Sequence, residues 1–230
     1  MPDEFLGQEI IDHLEYELGS LSICYLASLE KLNLMFTLPA RRAEETGSWC
    51  RWERKEVEGA AMQFAIYLHE TAILGLAKVI EDTKVLLKQK LNHRFHPWSE
   101  ELDLPYLNEN IKTIWALSNI IKHNRSLLSR GSSNYVDFIL DEWNIVEGYD
   151  LESVILSRHD CFCVGEHIVK LYFSLSTLIE NISGASSHLK GDGWEAIAND
   201  LFSYLIPDNI GLEVPTFNKS MQPTADASAD

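Results

Sequence analysis

Residues 150–181 read DLESVILSRHDCFCVGEHIVKLYFSLSTLIEN, and the spacing of their apolar residues decides the fold class. Val154, Cys161, Val164, Ile168, Leu171, Leu175, Leu178 and, one residue further, Ile182 recur in steps of three, four and seven. At about 100° per residue those steps fall on one side of an α-helix. A strand would alternate every second residue instead. The spacing predicts one long amphipathic helix over 150–181.

The same period appears toward the N-terminus. Ile11, Leu14, Leu18, Leu21, Tyr25, Leu32 and Met35 form a seam interrupted only by Ser28, which predicts a helix over 5–33. Leu38-Pro39 and Thr46-Gly47-Ser48 are read as its end. A second helix is expected over 52–91, with Met62, Ile66, His69, Ile73, Leu76, Ile80 and Leu87 as its seam. Lys84, Lys88 and Lys90 suit its C-terminal dipole. Residues 92–107, with two prolines, read as a loop. A third helix is expected over 108–128, with Ile114, Leu117, Ile121 and Leu128 on one face and Gly131-Ser132-Ser133 as its stop. Residues 135–149 suit a short helix or an extended stretch equally. A short helix over 193–205 ends before Pro207, and the polar tail from Glu213 is expected to be disordered.

Four long apolar stripes must bury one another. The expected fold is all-α: an antiparallel bundle of four long helices plus a short C-terminal helix, forming a single domain over 1–212 with a tail over 213–230.

Bulk composition narrows the function. The 230 residues include 19 Lys and Arg against 35 Asp and Glu, a net charge of −16. So acidic a surface repels phosphate backbones, and broad DNA binding is not expected. Cys24, Cys50, Cys161 and Cys163 have no framework spacing, which suits a reducing compartment. The acidic start, MPDEF, has no signal-peptide pattern, and the longest uncharged run, 18–29, falls short of the ~18 residues of a membrane span. A cytoplasmic protein without membrane association is expected. Glu-x-x-His pairs, phosphate loops, dinucleotide fingerprints, nucleophile elbows and zinc-protease motifs are all missing from the sequence, and no cofactor is expected.

The most suggestive local string is Ser118-Asn119-Ile120-Ile121-Lys122-His123-Asn124-Arg125. It resembles the motif of the HEPN superfamily, helical-bundle proteins that include ribonuclease toxins and antiviral effectors. That motif places an Arg, often followed by a polar residue, four to six residues before a His. The resemblance implies a homodimer in which these groups meet across the interface and cleave RNA without metal. Asn119 and His123 fall at the polar and His positions, but Ser118 stands where the Arg should be, and Arg125 follows the His out of register. The resemblance therefore implies a non-enzymatic bundle that binds RNA, a nucleotide or a protein partner, in bacterial defence or a toxin–antitoxin setting. A metal-independent ribonuclease using His123 with Asn119, and a purely structural dimeric module, are the alternatives.

Helical geometry adds to this. His123 lies roughly opposite the Ile114/Leu117/Ile121/Leu128 face, with Asn119 and Lys112 beside it, so it is expected outside the core. Residues 111–136 hold no acid, while Lys112, Lys122, Arg125 and Arg130 are basic. Lys112, Asn119, Lys122, His123 and Arg125 are thus the candidate ligand-binding residues, favoured for a phosphate-bearing ligand. Cations near a helix C-terminus also serve the helix dipole without any ligand.

His159, Cys163 and His167 are spaced four apart, but the outer two lie about 12 Å apart along a helix. No fourth-ligand motif accompanies them, so no metal is expected there. They are read as pointing away from the main seam, on the surface or on a secondary packing face, whereas Cys161 lies on the seam. His69 is read as a hydrogen-bonded core histidine. His93-Arg94-Phe95-His96-Pro97-Trp98 is read as a loop anchored on the bundle. The string Ser220-Met221-Gln222-Pro223-Thr224-Ala225-Asp226-Ala227 resembles peptide made when translation runs into the recombination site of an integron gene cassette.

Overall fold

A computed structural model describes residues 2–46, 51–98, 105–123, 127–157 and 163–187. They form an all-α bundle: α1 Pro2–Thr46, α2 Arg51–Leu91, α3 Pro105–His123, α4 Asn134–Glu142, α5 Leu151–Ser157 and α6 Val164–Ser183. Among the described residues, no helix is long and apolar enough to cross a membrane.

Helix α1 is longer than its seam suggests and continues through Pro39. A proline removes one backbone hydrogen bond, and the turns on either side remain helical. Of the seam, Ile11, Leu14, Leu18 and Tyr25 are buried, joined by Ile10, Ser22 and Leu29, while Leu21, Leu32 and Met35 are partly buried.

Helix α2 matches its expected span within a residue, and Ile73, Leu76, Ile80 and Leu87 of its seam are buried, but the buried face differs in the N-terminal half. Ala61, Ala65, Leu68 and Ala72 are buried, while Met62, Ile66 and His69 are only partly so. Small side chains let a neighbouring helix approach closely, which apolar periodicity weighted toward large residues does not register. Glycine serves the same end twice. A Cβ on Gly7 would lie 2.0 Å from Ser183 Oγ, and one on Gly75 would lie 2.7 Å from Leu21 Cδ1.

Cross-helix pairs set the directions. Glu9 meets Lys90, Glu17 meets Lys78 at 3.1 Å, and Tyr25 sits edge-on to His69 with ring centroids 6.3 Å apart. Residue numbers fall on one helix as they rise on the other, so α1 and α2 are antiparallel. Gly7 against Ser183, and Glu15 accepting from Tyr172 Oη at 2.8 Å, make α6 antiparallel to α1 as well. Among the described residues, both α1 and α3 pack on α2 and α6, but not on each other. They occupy opposite corners of the bundle.

The third and fourth expected helices need correction. Helix α3 starts earlier, at Pro105, a residue favoured in the first turn because its missing N–H has no intrahelical partner there. It also ends earlier, at His123. Leu128 is still buried, but through an extended contact: its N–H donates to Tyr149 O at 3.0 Å, and Gly148 N–H donates to Leu128 O at 2.8 Å. Residues 134–142 form the short helix α4, capped by Ser133, whose Oγ accepts from Val136 N–H at 3.2 Å.

The span expected as one helix over 150–181 contains two, α5 and α6. Cys163 precedes α6 in extended conformation, φ −122° and ψ 116°, which is incompatible with an unbroken helix. Gly184 closes α6 at φ 72°, donating to Glu180 O at 2.8 Å. The helix expected over 193–205, the tail over 213–230, the integron-like string and Cys50, Cys161, Asn124, Arg125 and His159 lie outside the described residues.

Candidate functional site

Helix α3 presents its core face with Asn110, Ile111, Thr113, Ile114, Ala116, Leu117, Ser118 and Ile120. The opposite sector holds Lys112, Trp115, Asn119, Lys122 and His123, within about 100° of one another around the axis. Lys122 and His123 are exposed on the last turn; Lys112, Trp115 and Asn119 are partly buried. His123 is thus outside the core, as its helical position requires. Arg125, the remaining candidate, lies outside the described residues.

The structure adds two residues to this strip. Trp115 sits among the candidate cations, and Lys84 from α2 places its ammonium 5.6 Å from the centre of the Trp115 ring. Such a placement is attractive because the ring face carries negative potential. Lys84 also donates to Glu81 Oε2 at 3.1 Å, so its charge is partly matched within its own helix. The basic stretch around Lys84 and the acid-free stretch of α3 are separate in sequence and adjoin in space. The spacing of the seam on α2 faces inward and so does not reveal that link.

Two members of the HEPN-like string are committed elsewhere. Ser118, at the position of the family's Arg, is 1% exposed and donates from Oγ to Trp115 O at 2.9 Å. Asn119 donates from Nδ2 to the same carbonyl at 2.8 Å, which orients its side chain back along α3. Lys122 projects about 100° around the axis from His123, so the two do not converge from one helix.

Of the two alternatives for His167, surface or secondary packing face, the structure shows the packing face. His167 is buried, with Nδ1 2.6 Å from Asn110 Oδ1 on α3. Helix α6 packs against α1, α2 and α3, so more than half of its circumference is covered, and a single seam understates its burial. The neutral ring donates from Nδ1, and burial lowers the imidazole pKa to about 4. Cys163 is at the N-cap of α6, partly exposed.

His69 is hydrogen-bonded through Nδ1 to Ala65 O at 2.7 Å, as expected, but it is only partly buried and not part of the core. With Ile66, Glu70, Leu151, Glu152 and Ile155 it lines a small open cleft between α2 and α5. Burial, then the nearby Glu152 charge, raises the Glu70 pKa. The 93–98 loop is anchored: Phe95 is buried, and Trp98 packs edge-on against Tyr135 and Phe138 of α4 at 5.0 and 5.2 Å. His13, Glu17 and Asp82 bring potential ligand atoms within 4.8 Å of one another, but the Lys78 ammonium donates to both carboxylates.

Comparison with family models, with curated proteins and with solved structures finds no match.

Proposed function

We propose that this chain is a non-enzymatic, HEPN-like helical bundle whose outer α3 strip binds a nucleotide or a short single-stranded RNA, in bacterial defence or a toxin–antitoxin setting. The observation that carries the reading is Lys84 over the half-buried Trp115, with Lys112 one turn away on α3 and His123 further along the same side. An indole face accepts a stacked base, and ammonium groups around it accept the phosphate. The strip is local, which reconciles ligand binding with a net charge of −16.

The absence of catalysis follows from Ser118. Metal-independent cleavage needs an acid or base near the 2′-hydroxyl and a cation on the phosphate. His123 supplies the first. Ser118 is neutral, short and buried, and supplies no counterpart to the second.

Fluorescence anisotropy with a labelled single-stranded RNA, and competition by a free mononucleotide, tests the reading. Trp115→Ala should weaken RNA binding about tenfold or more, since a stacked base contributes roughly 1–3 kcal/mol. Lys84→Ala should flatten the salt dependence. Binding that is undetectable, or equal in wild type and Trp115→Ala, overturns the proposal. RNA cleavage that survives chelation and is lost in His123→Ala would replace it with the ribonuclease alternative.

A further inference from the structure

Helix α1 carries large apolar residues on the side turned from the bundle. Phe5 is 67% exposed, Tyr16 71%, Ile23 70% and Leu34 45%. They are spaced by eleven, seven and eleven residues, so at about 100° per residue all four lie within roughly 20° of one line along the axis. The line extends about 44 Å at 1.5 Å per residue.

Its arrangement is symmetric about the Gly19–Ser20 peptide. Tyr16 and Ile23 lie at equal distances on either side, as do Phe5 and Leu34. A second copy of α1, laid antiparallel with a two-fold axis through that peptide, sets each Tyr16 against Ile23 of the second copy, and each Phe5 against its Leu34. Such self-matching is what an isologous interface requires. Gly19 and Ser20 are exposed at the centre, and a Cβ on Gly19 would meet nothing within 4 Å, so the axes can approach closely.

Charge around the stripe is mixed. In an antiparallel pair, residues on the same flank meet, so exposed Lys31, about 80° from the stripe, comes near Glu9 of the second copy, while exposed Asp12 and Glu30, closer to the stripe, come near each other. Glu9 is also matched by Lys90 of its own chain.

We propose that the outer face of α1 is a homodimer interface, antiparallel and two-fold about Gly19–Ser20. Because α1 and α3 occupy opposite corners, this dimer holds the two α3 strips apart, facing outward. Two His123 residues then do not converge. Each subunit keeps a separate ligand strip.

Sedimentation of the full chain tests the interface. Wild type should be a dimer at micromolar concentration, and Ile23→Glu should weaken dimerisation about tenfold or more while leaving the helical circular dichroism spectrum intact. Lys31→Glu should weaken it less. In a Cys24→Ser background, Ser20→Cys should cross-link into a disulfide dimer on oxidation, and Gln63→Cys, on the exposed side of α2, should not. A monomeric wild type, or a dimer indifferent to Ile23→Glu but lost on change at α3, overturns the proposal. A monomer whose thermal stability falls in Ile23→Glu would show that the chain itself covers this face, and overturns it equally. None of these outcomes depends on RNA binding.

Discussion

His167 of α6 and Asn110 of α3 meet in the core, Nδ1 to Oδ1 at 2.6 Å, and both are buried. A neutral imidazole satisfies this geometry. A protonated one would place a charge between two packed helices. Folding lowers the His167 pKa from 6.5 to about 4, so below the ordinary value the unfolded chain binds the proton more readily. The stabilisation is full above pH 6.5, declines as pH falls toward about 4, and levels off below that. The shift corresponds to roughly 3 kcal/mol. Urea unfolding between pH 7 and 4 should show that decline, and it should be much smaller in His167→Gln. Equal slopes in the two proteins would remove His167 as the cause.

Gly7→Ala should destabilise the chain. Alanine gains about 1 kcal/mol of helix propensity over glycine. The new Cβ, however, would stand 2.5 Å from Ser183 Cβ and 2.9 Å from Ala185 Cβ. Ser183 cannot rotate away freely, because its Oγ donates to Ile179 O at 2.7 Å and accepts from Ala185 N–H at 3.1 Å. A net loss of about 1–3 kcal/mol, the cost typical of an overfilled core, should appear as a lower denaturation midpoint. Gly59→Ala, in open space on α2, should not lower it.

His123→Ala should leave stability unchanged to within about 0.5 kcal/mol, since the side chain is exposed at the end of α3. Thermal unfolding checks this. A grossly unfolded variant would contradict the placement of His123 outside the core.

Trp98→Ala should loosen the connection between α2 and α3. The indole is the edge partner of both Tyr135 and Phe138. Losing its buried surface and two aromatic contacts should cost about 2–4 kcal/mol. Amide exchange should accelerate first around residues 92–98. Uniform acceleration across the bundle would show that the loop is not held chiefly by Trp98.

Much of the bundle was legible in apolar spacing alone. The seam of α1 and the limits of α2 needed only a 3.6-residue period. The break before α6 did not show, because the apolar spacing continues through Cys161 and Val164 while the backbone at Cys163 is extended. The exposure of His123 was legible, since it follows from helical angle. The burial of His167 was not: Asn110 lies 57 residues earlier in the chain and no local pattern joins them. Trp115, and its pairing with Lys84, escaped notice for the same reason, as each residue is ordinary on its own helix and informative only beside the other.

By itself, then, the sequence determined an all-α chain and the inward face of α1, because a helix repeats every 3.6 residues and its apolar stripe must leave water. Only the tertiary structure decided which helices adjoin, that α6 is covered over more than half its circumference, that small residues on α2 are core, and that α1 and α3 stand at opposite corners. Those facts depend on close packing between segments distant in sequence, where a glycine at position 7 or a histidine at 167 is judged by what it meets.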